Sequence, residues 1–143
     1  MQTFLPYADF NASAGVLDRQ RLGKQRIEVL QILRVLAGDS TGWRAHPAVK
    51  MWRGWEHLLV DYGLAVCTEW VRRDYMDTRA ERIAQFDVQF HAQRDGRTPW
   101  WLGNEQFHLS HRSNLVRKMP GWYGPVWPNT TDDLPYVWPG SEA

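Results

Sequence analysis

Apolar residues recur at three- to four-residue spacing through positions 17–38, LDRQRLGKQRIEVLQILRVLAG, where Leu22, Val29, Leu33 and Leu36 form a stripe widened by Leu30 and Ile32. That period predicts a helix with one side on a core, capped by Asp18 and ended by Gly38. Val49, Trp52, Trp55, Leu59 and Tyr62, with Met51 and Leu58 filling in, predict a second amphipathic helix that starts at Pro47 and breaks at Gly63. A third spans 64–75 with Cys67, Trp70 and Val71 inward, and a fourth follows Asp77 and Thr78 with Ile83, Phe86 and Phe90 on one face. After the turn RDGRTP, Asn104 caps a last helix that ends near Lys118 before Pro120, with Phe107, Ser110, Asn114 and Leu115 on a shared side.

The two ends follow other patterns. Residues 1–16 read as an ordered arm, because Pro6 restricts Leu5 and Gly15 punctuates the stretch, although Asp9, Asn11 or Ser13 could begin a helical turn within it. Phe4, Leu5, Tyr7 and Phe10 make the arm too apolar to float. Beyond Gly121, four prolines exclude a long helix, and Trp122, Tyr123, Trp127, Tyr136 and Trp138 suit a segment that wraps the body. The expectation is an all-α fold: a compact single-domain helical bundle over 1–143, with arm 1–16, helical body 17–118 and an extended aromatic and proline-rich segment 119–143.

At 143 residues and 43% hydrophobic content the chain suffices for one core. A net charge of +1 means that any nucleic-acid surface must come from local charge sorting. The lone Cys67 reads as a buried free thiol in a reducing compartment, and neither it nor the five histidines have metal-ligand spacing, so no metal and no cofactor are expected. The start MQTFLPYADF lacks a basic region followed by an apolar one, which favours a cytoplasmic protein with no membrane partner. Nine tryptophans, several in loops, serve either as lids on the core or as platforms for flat ligands such as bases.

Arg21, Lys24 and Glu28 fall on a second stripe of the first long helix, which sets one carboxylate among Arg19, Arg21, Lys24 and Arg26. The stripe is either a solvated face with an ordinary Lys24–Glu28 pair, contributing a few tenths of a kcal/mol, or an acid placed in a cationic surface to handle a proton. Glycine-rich phosphate loops and a nucleophile elbow are absent. His46, before Pro47, suits the start of a helix and a backbone bond; His108 and His111 suit the surface or the packing of the last one rather than catalysis. A primary amine is the remaining nucleophile. An α-amino group titrates near 8, about two units below lysine, so roughly a tenth of it is free base at neutral pH. An ordered arm laid near Glu28 supplies such an amine with no cofactor.

Three motifs now converge: LDRxxLxxxxxE from Leu17 to Glu28, GWRAHP from Gly42 to Pro47, and a basic helix followed by the pair Trp122–Tyr123. Together they resemble the pyrimidine-dimer DNA glycosylase (endonuclease V) family over most of the chain. The resemblance implies a small all-α enzyme that cleaves the glycosidic bond at a cyclobutane pyrimidine dimer. Its N-terminal amine attacks the sugar C1′ to form a Schiff base, a glutamate assists, and β-elimination cuts the strand. By motif, Met1 and Glu28 take the catalytic places. The partner implied is double-stranded, damaged DNA, held by Arg19, Arg21, Lys24 and Arg26, with Arg44, His46, Arg112 and Lys118 as outer contacts. The alternatives are a non-catalytic nucleic-acid- or protein-binding module, whose DNA binding survives Glu28→Gln, and an enzyme acting on a modified base in undamaged DNA.

Overall fold

Asp18 caps the longest helix as its place before the apolar stripe predicts: its carboxylate accepts the Arg21 backbone N–H at 3.3 Å, and the helix, α2, runs Arg19–Leu36. The computed structural model describes residues 1–140, so the predicted segment 119–143 extends three positions outside the described residues. Within the arm, Asp9 accepts from Ala12 N at 2.8 Å and starts a short helix, α1, Phe10–Val16. The remaining helices are α3 (Pro47–Lys50), α4 (Glu56–Arg72), α5 (Ala80–Phe90) followed by a 3₁₀ turn (His91–Gln93), α6 (Glu105–Lys118) and α7 (Pro120–Tyr123). No strand occurs among the described residues, and none of their helices is long and apolar enough to cross a membrane. The all-α expectation holds.

The second and third predicted helices are divided differently from the expectation. The break falls at Gly54, which takes φ +85° and ends the turn after α3, whereas Gly63 lies inside the continuous α4. Gly63 is needed for close approach, not for a bend. A Cβ there would lie 2.6 Å from Val29 Cγ1 of α2 and 3.1 Å from Ile83 Cγ2 of α5, so the missing side chain lets three helices meet. Val71, predicted inward, is 54% exposed, whereas Val66 and Cys67 are buried.

A core joins these elements. Trp52 and Trp101 meet edge to face at 5.0 Å between centroids, Trp52 lies over Tyr62, and Phe107 packs on Trp101. Of the adjacent pair Trp100–Trp101, therefore, Trp101 belongs to the core, while Trp100 is exposed. Cys67 is the buried free thiol expected, and burial followed by the neighbouring Asp77 pushes it up to about 12. The tail wraps the body. After the short α7, which Pro120 starts where an extended segment was expected, Trp127 stacks on Tyr123 and donates to the Tyr7 hydroxyl at 2.9 Å; Asn114 and Ser113 of α6 bond the Leu134 backbone.

Residues 2–6 are held inside the molecule. Leu5 N–H donates to His111 Nδ1 at 2.9 Å, and His108 Nδ1–H donates to Leu5 C=O at 2.7 Å while its Nε2 accepts from Gly103 N at 2.9 Å. Arg112 donates to Pro6 C=O at 2.8 Å. Both histidines must be neutral to make these bonds. Burial, followed by the neighbouring His108, lowers His111 to about 3, and burial also lowers His108.

A pH dependence follows. Below the ordinary 6.5 the unfolded chain binds a proton at His111 that the folded chain refuses until about 3, so stability rises with pH across that window. The slope from His111 is about 1.4 kcal/mol per pH unit, and His46 and His108, also depressed, add to it. Urea unfolding between pH 6.5 and 4.5 reads the slope above the range of the depressed carboxylates Asp18 and Asp77. His111→Asn should reduce it by about 1.4 kcal/mol per unit; an unchanged slope would contradict the clamp.

Candidate active site

Seen from α2, the site begins with Gln25, a polar residue on the buried stripe between Leu22 and Val29. Its amide is fully used: Oε1 accepts from Phe4 N (3.0 Å) and Tyr62 OH (2.8 Å), and Nε2 donates to Gln2 C=O (2.8 Å) and Glu28 Oε2 (3.1 Å). The single Tyr62 O–H proton is shared between Gln25 Oε1 and Phe4 C=O, the latter at 2.7 Å, and Trp52 Nε1–H donates to Thr3 Oγ1 at 3.0 Å. These bonds set the register of the arm against α2 residue by residue.

One turn further on, Glu28 is 7% exposed, which excludes the solvated-face alternative for it. Besides the Gln25 bond, Glu28 Oε2 accepts the Gln2 backbone N–H at 3.2 Å. The Met1 amine is three covalent bonds from that nitrogen, so backbone geometry keeps it within about 7 Å of the carboxylate. Lys24 Nζ lies 3.8 Å from Glu28 Oε1, and its side chain is 72% exposed, so the pair is loose and the ammonium faces solvent.

Met1, Gln2, Phe4 and Lys118 line a cavity of about 320 Å³ together with Gln20, Arg21, Lys24, Gln25 and Glu28 of α2. Arg21 is steadied at its rim by Asp18 at 3.1 Å. Burial raises the Asp18 carboxyl, but hydrogen bonds from Tyr123 (2.5 Å) and Arg21 outweigh it and hold the group below its ordinary 3.8. His46 caps α3, its Nδ1 accepting from Ala48 N at 3.0 Å, which is the backbone bond predicted for it. Burial and then the positive N-terminus lower its pKa, while Glu28 opposes them.

Of the proposed contact residues, the structure brings Arg21, Lys24 and Lys118 together around Met1 and Glu28. Arg19 is exposed and lies over the Tyr75 ring, and Arg44 lines a separate cavity beside Gly38 and Arg53. Arg26 and Arg112 have internal duties. Arg26 bonds Asp77 at 2.7 Å, with side-chain exposures of 13% and 6%, and stacks on Trp70. Releasing it to a phosphate would strand a buried carboxylate at about 3–5 kcal/mol, more than an exposed ion pair returns. Arg112 pairs with Glu105 and holds Pro6. Gln2, Gln25 and Tyr62 are the residues that the sequence reading missed. Gln25 carried a signal, an amide at a position where helical period demands an apolar side chain.

The arrangement is a primary amine and a buried carboxylate at the floor of a cationic cavity, suited to nucleophilic attack on the sugar of an anionic polymer. No curated protein and no solved structure matches the chain. A family model described as pyrimidine dimer DNA glycosylase matches residues 1–82, more than half of the 143 positions and every cavity-lining residue except Lys118. By this match the chain belongs to the pyrimidine dimer DNA glycosylase family, a family of DNA-repair glycosylases.

Proposed function

We propose that the chain cleaves the glycosidic bond of a damaged pyrimidine nucleotide in duplex DNA and cuts the strand through a Schiff base on the Met1 amine. The amine lone pair attacks C1′, and the base leaves with the glycosidic electron pair and takes up a proton. Opening of the sugar ring at C1′–O4′ leaves a C1′=N iminium. Loss of a C2′ proton then expels the 3′ phosphate, and water releases the amine. Glu28 relays protons at the amine and at the sugar. Arg21, Lys24 and Lys118 hold flanking phosphates, and the lesion lowers the cost of extruding a nucleotide.

The observation that carries this is the 3.2 Å bond from Gln2 N–H to Glu28, which ties the first peptide unit to the only carboxylate that lines the cavity among the described residues. Borohydride in the presence of dimer-containing or abasic duplex should trap a covalent adduct on the N-terminal peptide. An acetyl group or a two-residue N-terminal extension should reduce trapping at least a hundredfold, in keeping with loss of the nucleophile. An adduct that maps to Lys24, or an extended chain trapped as well as the native one, would refute the assignment. DNA binding without any adduct would favour the non-catalytic module.

A further inference from the structure

Trp43 stands outside the amine–carboxylate site, and neither packing nor backbone preference accounts for it. It is 65% exposed, more than the other exposed tryptophans, Trp100 and Trp122. Its φ is +66°, a left-handed conformation that a bulky side chain rarely adopts. The glycine beside it, Gly42, does not take that position, so the strain is not relieved where relief lies one residue away. Two contacts hold the turn: His46 N–H donates to Trp43 C=O at 2.9 Å, and the indole meets the His46 ring edge to face at 5.9 Å between centroids.

His46 links this turn to the tail, its ring meeting Trp138 at 6.3 Å and Trp138 packing on Tyr136 at 5.4 Å, and the charges of the Met1 amine and Glu28 both act on it. The next residue, Arg44, is exposed. A flat, largely uncovered aromatic ring and an exposed arginine are therefore adjacent on this turn. We infer that Trp43 is a stacking platform for a nucleobase that has lost its stacking partner at the lesion, with Arg44 on the adjoining phosphate. The chemistry fits, because every base offers a π-face and a neighbouring guanidinium pairs with the backbone. This rests on the reading of the site as a DNA glycosylase.

Trp43→Gly and Trp43→Phe separate the possibilities. Glycine relieves the positive φ, so Trp43→Gly should melt at or above the wild-type temperature. It should nevertheless form adduct on dimer-containing duplex about tenfold more slowly, the scale of one lost base stack, while Trp43→Phe stays within a few fold of wild type. A 2-aminopurine placed opposite the dimer should be quenched by the wild type and not by Trp43→Gly at saturating protein. Trp43→Gly that is more stable and equally fast, with the probe equally quenched, would overturn the platform and leave the site intact. A wild-type chain that forms no adduct on any damaged duplex would overturn the reading of the site, and the platform with it.

Discussion

Glu28→Gln should abolish the borohydride-trapped adduct, with a loss of about 10³-fold or more in single-turnover rate, while the protein stays folded. The glutamine is isosteric, and its Oε1 can still accept the Gln2 N–H that Glu28 Oε2 accepts now at 3.2 Å, so the arm keeps its anchor. What disappears is the negative charge and the ability to carry a proton, and positioned acid–base groups of this kind contribute roughly 10²–10⁴-fold. Stability should change little. The carboxylate is buried with one loose cation at 3.8 Å, and removing an incompletely compensated buried charge is seldom costly. Trapping, DNA anisotropy and thermal melting on one preparation check all three statements. Trapping at the wild-type rate would exclude Glu28 from the chemistry.

Gln25→Leu should damage stability and activity together, and more than its distance from any reacting atom suggests. Leucine leaves Phe4 N–H and Gln2 C=O without the partners they have at 3.0 and 2.8 Å, on residues that are all buried. Each stranded backbone group costs about 1–3 kcal/mol, so a loss of about 3 kcal/mol or more is expected in urea unfolding. Well below its melting temperature the variant should still trap at least a hundredfold more slowly at saturating DNA, because the arm can slip and carry the amine off Glu28. Wild-type trapping by a destabilised Gln25→Leu would show that the arm holds its register without this amide.

Much of the fold was legible because helix signals are local. Asp18 and Asn104 cap the helices they were expected to cap, Pro120 follows the end of α6, and the apolar stripe of α2 points inward. Where local signals mean two things, they misled. Gly63 looks like a breaker along the chain, yet its value lies across the chain, where Val29 and Ile83 occupy the space of its absent side chain. Pattern likewise could not separate Arg26 from Arg21. Both are cations on α2, but one is folded onto Asp77 and Trp70 and the other stands at the cavity rim.

The site divides in the same way. An N-terminal amine and one glutamate on the first long helix were readable from residue chemistry and from the LDRxxLxxxxxE motif, since both are statements about which groups are present. Which groups meet depends on partners far apart in sequence: Gln2 with Glu28, Phe4 with Gln25 and Tyr62, Leu5 with His108 and His111. The sequence by itself determined α2 and α6 with their caps Asp18 and Asn104, and the aromatic wrap, because those follow from short-range sterics and periodicity, while the candidate nucleophile followed from the chemistry of the groups present. Only the tertiary structure decided that the arm is threaded beside α2, that Glu28 is buried, and which cations line the cavity. Those are outcomes of satisfying buried polar groups across long chain separations, which no local pattern encodes.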